Sequence, residues 1–404
     1  GFKCLTFSAV NFYRSIVINN IDFLFMKKLK LLFLIESLSG GGAEKVLSVL
    51  LKHLDKTKFD ITLCTIVDTG IYAEEVKKYV KYTSVLGNLQ KKNLLGKIVY
   101  KILYLFIYRI LPSQLIYTLF IPKKNDIEIA FVEGFCTKIL SHSTNKKAQK
   151  IAWAHTDLIN NHWITSIYKN KQDEKQSYQK YNKIIGVSNT ATTAIKQLYN
   201  INNAVTLYNP IESDNIIEKS KEFIALPSKT QTIRMATVGR FVPQKAYDRL
   251  LRVIKRLYED GYSIELWILG DGEQRPMLKE YINTHSLNEI VTLWGFQKNP
   301  YPYLKHSDIF VCSSVSEGYS TAVTEALILE LPVITTACSG MDELLLNGKC
   351  GLITENSENG LYEGIKYVLD NTSLLASYKQ NILKHQERFL LSNQMIQIEN
   401  LFNS

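Results

Sequence analysis

One rhythm occurs twice in this chain, and it restricts the fold more than any other feature. Short apolar runs alternate with longer stretches whose apolar residues recur at helical spacing. In the first half, Leu29–Ile35 ("LKLLFLI") reads as a buried strand and Gly42–Leu54 as a helix, while Phe59–Val67, Ile127–Phe131, Ile151–Ala154 and Lys183–Val187 read as further strands. Ser188 is placed to cap the helix "NTATTAIKQLY". The second half repeats the pattern. "IRMATVG" and "IELWILG" are strand-like and each ends in glycine; Ala246–Tyr258, Glu273–His285 and Thr321–Glu330 are helical; "DIFVCSS", "PVITT" and "GLIT" complete the strands. Alternating β and α predicts parallel sheets covered by helices on both faces, and two series predict two doubly wound α/β domains facing a cleft.

The join falls in residues 209–232, which are polar and carry Pro210 and Pro227. This gives an amino-terminal domain over 26–208, a linker over 209–232 and a carboxy-terminal domain over 233–390. A final helix over 391–404 is expected to cross back to the first domain. Met26 is followed by "KKLKLLFLI", which reads as a natural start, so residues 1–25 are expected to be an extension contributing little to the fold. Open parallel sheets bind ligands at the carboxyl ends of their strands, so the site belongs in the cleft.

Composition sets limits on partners. The 48 Lys and Arg against 38 Asp and Glu give a net charge of +10, which suits an anionic partner. The basic residues interleave with apolar ones instead of forming polar patches, so nucleic acid is not expected. The six cysteines are scattered without a C-x-x-C pair, which argues against a disulfide framework or zinc site and fits a reducing compartment. One segment breaks the rhythm: Lys91–Lys124 carries seven basic residues, no acidic ones, and many Ile, Leu and Tyr. Lys101, Arg109 and Pro112 interrupt it, which disfavours a membrane span. Two readings remain, a helix in the plane of an anionic membrane interface and a core helix whose lysines reach out to water; the lack of acid favours the first.

Four segments of the second half carry chemistry. In "VGRFVPQKAYDRL", Arg240 and Lys245 follow a strand, where two cations can clamp a diphosphate. "LGDGEQ" makes a tight strand-to-helix turn but lacks the third glycine of a dinucleotide fingerprint. Gly295-Phe296 follow another strand, where Phe296 can border a flat base. In "SSVSEGYSTAVTEAL", Ser320 and Thr321 fall at a helix N-terminus that favours phosphate, with Glu317 in the preceding loop and Glu325 inside the helix. Each carboxylate can accept hydrogen bonds from vicinal hydroxyls of a sugar or ribose. In the first half, "SLSGGGAEKVL" places Gly41 and Gly42 in a loop that lets backbone approach a ligand. His155, in "IAWAHTD", follows a strand end near the same cleft.

The ordered set GGAE, GRF-x-x-QK, GDG, GF and E-G-x6-E resembles the family-4 glycosyltransferases over roughly residues 27–390. The resemblance implies two Rossmann-like domains in the GT-B arrangement. It also implies retaining transfer of a hexose or N-acetylhexosamine from a nucleotide-diphosphate sugar, with UDP-sugar expected. On this resemblance Arg240 and Lys245, with the Ser320 and Thr321 amides, hold the donor diphosphate. Gly41 and Gly42 border the reaction centre, Glu325 binds ribose, Phe296 meets the base and Glu317 binds the donor sugar. His155 stands beside the transferred sugar; here it sits in "AHTD", where family members often show a shorter H-D. No D-x-D occurs, so no metal or other cofactor is expected. The expected acceptor is a lipid-linked, polyprenyl-diphosphate glycan of surface polysaccharide synthesis. The expected location is cytoplasmic, peripheral on the inner face of the cell membrane through Lys91–Lys124. A non-hydrolysing nucleotide-sugar epimerase of the same fold, or a non-catalytic sugar-nucleotide-binding membrane scaffold, are the alternatives.

Overall fold

A computed structural model describes residues 27–89, 93–227 and 231–404. The extension 1–25, Lys91 and Lys92 lie outside them.

The amino-terminal sheet is wholly parallel. Its strands are β1 (Leu29–Ile35), β2 (Phe59–Val67), β3 (Lys81–Leu86), β4 (Ile127–Ala130), β5 (Gln149–Ala154), β6 (Lys183–Gly186) and β7 (Ala204–Thr206), in the order β3-β2-β1-β4-β5-β6-β7. The carboxy-terminal sheet has β8 (Ile233–Val238), β9 (Ile264–Leu269), β10 (Val291–Gly295), β11 (Ile309–Cys312), β12 (Val333–Thr336) and β13 (Gly351–Thr354), in the order β10-β9-β8-β11-β12-β13. The fold is therefore the expected pair of doubly wound α/β domains. Central strands are continuous apolar runs because helices cover both faces; Leu31 to Leu34 are all fully buried. The strand order reverses between β1 and β4 and between β8 and β11, so the crevices that take ligands open at the carboxyl ends of those four strands.

Several helices matter below: α1 (Gly42–His53), α2 (Leu94–Leu105), α3 (Ser113–Phe120), α4 (Asn189–Tyr199), α5 (Tyr247–Glu259), α6 (Thr321–Ile328) and α7 (Leu391–Asn403). Ser188 caps α4 by accepting from the Ala191 amide at 3.1 Å. The predicted Ala246–Tyr258 helix starts one residue later, because Ala246 takes a left-handed backbone with φ 49°. The predicted Thr321–Glu330 helix ends at Ile328, two residues before Glu330, which is itself left-handed at φ 62°. The linker holds a short helix of its own, Ser213–Lys219. Helix α7 lies against the amino-terminal domain: Phe402 meets Phe33 and Phe59 edge-on at 6.2 and 6.1 Å.

Within the basic apolar segment, α2 runs into a π-helical turn at Phe106–Ile110, where the Leu111 amide bonds back to the Phe106 carbonyl at 2.9 Å. Pro112, which has no amide hydrogen to donate, follows, and α3 starts anew. The segment is thus two helices and not one. Tyr100, Ile107, Ile116 and Tyr117 face the core, while Leu94, Leu95, Ile98, Val99, Ile102 and Ile110 stand in solvent. No helix among the described residues is long and apolar enough to cross a membrane.

Candidate active site

The loops after β8 and β11 meet on one side of the cleft. Gly270 and Gly272, at φ 139° and 157°, let the loop after β9 close on the loop after β8; a Cβ on Gly270 would fall 1.9 Å from the Gly239 carbonyl oxygen. That packing fixes Phe241, whose amide donates to the Asp271 carbonyl at 2.9 Å. The buried Phe241 anchors the loop, and its neighbour Arg240 is exposed. Arg240 makes no ion pair among the described residues, so its guanidinium is available to an anion.

Lys245 turns inward. Its Nζ donates to Glu317 Oε1 at 2.5 Å, and Ser314 Oγ donates to the same oxygen at 2.6 Å. Burial works against the Lys245 charge, but the adjacent Glu317 carboxylate outweighs it and raises the pKa. Lys245 and Ser320 line one small cavity of about 10 Å³; Arg240 stands outside it, on the exposed loop. Ser320 is the N-cap of α6, its Oγ accepting from the Val323 amide at 3.4 Å. The amides of Thr321 and Ala322 precede the first intrahelical bond and face outward from the helix end.

The other wall comes from the first domain. Gly40, at φ 102°, turns the chain after β1, Gly41 is the N-cap of α1 and Gly42 its first residue. A Cβ on Gly42 would lie 3.5 Å from Thr321 Oγ1. Two helix N-termini therefore converge across the cleft, and both dipoles favour negative charge at the same place.

His155 follows β5 and packs against Phe131 with ring centroids 4.9 Å apart. Its amide donates to Glu133 Oε2 at 2.9 Å, and its buried Nε2 has no hydrogen-bond partner among the described residues. Burial lowers the imidazole pKa, against the pull of the Glu133 carboxylate. Gly318 lies directly on this strand end, since a Cβ there would fall 1.8 Å from the His155 carbonyl oxygen. The domains also touch where Ser339 Oγ donates to Asp157, and where Glu343 accepts from the Asn189 amide at 2.9 Å and the Tyr208 hydroxyl at 2.8 Å.

The structure thus gathers Arg240, Lys245, Glu317, Ser320, Thr321, Gly41, Gly42 and His155 at the strand ends bordering the cleft. Glu325 points from α6 toward the first domain, where Lys45 of α1 donates to its Oε1. Phe296 stands 64% exposed beyond β10. Sequence reasoning missed Lys45, Tyr301, Glu133, Asp157 and Glu343. "GGAEK" contained Lys45 in plain view, but its partner sits 280 positions away. Among the described residues no cluster of three or more His, Cys, Asp or Glu is arranged to hold a metal ion.

Fold and site together define a two-domain, cleft-forming α/β protein, and residues 218–385 match the family model of the glycosyl transferases group 1. The chain is 35% identical over 185 residues to the Campylobacter jejuni N-acetylgalactosamine-N,N'-diacetylbacillosaminyl-diphospho-undecaprenol 4-alpha-N-acetylgalactosaminyltransferase, covering 45% of this chain and 49% of that one. It is 28% identical over 172 residues to the Staphylococcus aureus capsular polysaccharide biosynthesis glycosyltransferase CapM, covering 41% and 45%. The chain spans about half the length of these curated relatives. Anabaena HepE, solved in complex with UDP, superposes with a TM-score of 0.70 at 17% identity over 93% of this chain and all of that one. That likeness establishes the GT-B fold.

Proposed function

We propose that this protein is a retaining, family-4-type glycosyltransferase. It moves a hexose or N-acetylhexosamine from a nucleotide-diphosphate sugar, a UDP-sugar on this reading, to a lipid-linked oligosaccharide or polysaccharide intermediate. The carrying observation is the pair of facing helix N-termini at Gly42 and Thr321, with the half-buried Lys245 ammonium beside the second and Arg240 exposed on the loop after β8. That arrangement suits a diphosphate, and the Glu317 carboxylate beside it suits a sugar hydroxyl.

The chemistry follows from where charge develops. The bond between the anomeric carbon and the donor phosphate oxygen breaks, and its electron pair stays on the leaving diphosphate. Arg240, Lys245 and the helix amides stabilise that growing negative charge, so no metal is required. The acceptor oxygen attacks on the same face, and its proton passes to the departing phosphate oxygen. On this reading the His155 Nε2, buried and without a partner among the described residues, hydrogen-bonds the transferred sugar once the donor opens a path to it. Lys245 is engaged by Glu317 and shifts toward the diphosphate as the sugar takes its place on the carboxylate.

Helices α2 and α3 supply the membrane contact. Their exposed leucines and isoleucines form an apolar face flanked by Lys97, Lys101, Arg109, Lys123 and Lys124, and no acid lies in 93–124. The matching partner is an anionic bilayer, with the enzyme peripheral on the cytoplasmic face. Support for a lipid-linked acceptor comes from the Campylobacter relative, whose name specifies a diphospho-undecaprenol acceptor. The test is incubation of the purified chain with radiolabelled nucleotide sugars and membrane lipid. Label entering the lipid-extractable fraction, with the anomeric configuration kept, supports the reading; donor consumed with no lipid product contradicts it.

A further inference from the structure

Both carboxylates of the E-G-x6-E segment are held by lysines, but from different domains. Glu317 takes Lys245 from its own domain at 2.5 Å. Glu325 takes Lys45, which reaches over from α1 of the first domain. The Glu325 side chain is only 5% exposed, so its charge depends on this partner. Lys45 Nζ also donates to the Tyr301 hydroxyl at 3.0 Å. Beside the pair opens a cavity of about 290 Å³, lined among others by Lys45, Tyr72, Tyr301, Thr321, Thr324 and Glu325.

A ribose offering two vicinal hydroxyls is held most symmetrically with one hydroxyl on each oxygen of a carboxylate. Oε1 of Glu325 is the oxygen occupied by Lys45. With the Glu325 side chain only 5% exposed, the ammonium stands in the approach to that oxygen, so ribose and ammonium compete for the same space. Lys45 also sits one turn after Gly41 and Gly42, so whatever moves it also moves the loop at the reaction centre.

We propose that Lys45 is a cross-cleft latch on Glu325, and that the donor ribose displaces it. This rests on the nucleotide-sugar reading of the cleft. The one carboxylate first pins the two domains together through the Lys45 ammonium and then binds the ribose hydroxyls. Part of the ribose binding energy goes into breaking the latch, and the released α1 leaves the glycine loop free to settle around the donor. Lys245 differs: it belongs to the same domain as its carboxylate and moves toward the phosphates, whereas Lys45 only yields.

The test measures binding of UDP and of inorganic pyrophosphate by calorimetry to the wild-type chain and to Lys45→Met, which keeps the apolar stem without the charge. The latch predicts severalfold tighter UDP binding in Lys45→Met and unchanged pyrophosphate binding. Unchanged UDP affinity overturns it. Weaker binding of both probes also overturns it, and would place Lys45 on the phosphates instead. If the wild-type chain binds no UDP, the nucleotide reading fails, and urea unfolding without ligand decides the latch. Lys45→Met, Glu325→Gln and the double variant should then be non-additive in stability; additivity removes the latch.

Discussion

Gly318 lies so close to His155 that a Cβ on the glycine would fall 1.8 Å from the histidine carbonyl oxygen. The neighbour is backbone and belongs to the other domain, so it cannot rotate away as a side chain would. Gly318→Ala should hold the domains apart. Each domain should keep its fold, with an unchanged melting transition, while kcat/KM for sugar transfer falls at least about tenfold through loss of alignment. Transfer kinetics alongside a thermal melt separate the two effects.

Arg240 and Lys245 should behave oppositely in stability. Arg240 is exposed and unpaired among the described residues, so Arg240→Ala should leave the melting temperature alone and weaken donor binding about 10- to 100-fold. Lys245→Ala leaves the buried Glu317 carboxylate without its cation. It should lose about 1–3 kcal/mol of unfolding free energy in addition to donor affinity. Denaturant unfolding next to calorimetry checks both.

The two domain folds were legible because their central strands are uninterrupted apolar runs ending in glycine or at a cap. Strands β3 and β7 escaped because "KYTSVL" and "AVT" are half-exposed and lack such a run. Arg240, Lys245, Glu317 and Ser320 could be singled out because each follows a strand. The Lys45–Glu325 pair could not, since a contact across a cleft leaves no local pattern in either segment. The break at Pro112 was visible, but the π-helical turn before it was not, because its residues carry the same apolar pattern as α2.

His155 gives a pH dependence. Its folded pKa is lowered by burial, so the unfolded chain binds the proton more readily. Stability from the neutral imidazole is complete above the ordinary value of about 6.5 and declines as pH falls below it. The melting temperature should drop more steeply below that value for the wild-type chain than for His155→Gln. Parallel slopes would show that this imidazole titrates normally.

The apolar face of α2 predicts membrane behaviour. Ile98→Asp and Ile102→Asp, both at exposed positions, should leave the melting temperature unchanged and abolish co-flotation with phosphatidylglycerol vesicles. Wild-type flotation should weaken with added salt, because lysines and Arg109 contribute the electrostatic part.

Helix α7 ties the chain end to the first domain. Phe402 is 2% exposed between Phe33 and Phe59, so Phe402→Ala should cost about 3–5 kcal/mol in urea unfolding.

The central claim is that a nucleotide-diphosphate sugar occupies the cleft on Arg240. A thermal-shift titration of the wild-type chain and Arg240→Ala against a panel of nucleotide sugars tests it most directly. A concentration-dependent rise in melting temperature is expected for at least one donor, lost in Arg240→Ala. No shift with any donor, or an equal shift in both proteins, would contradict it.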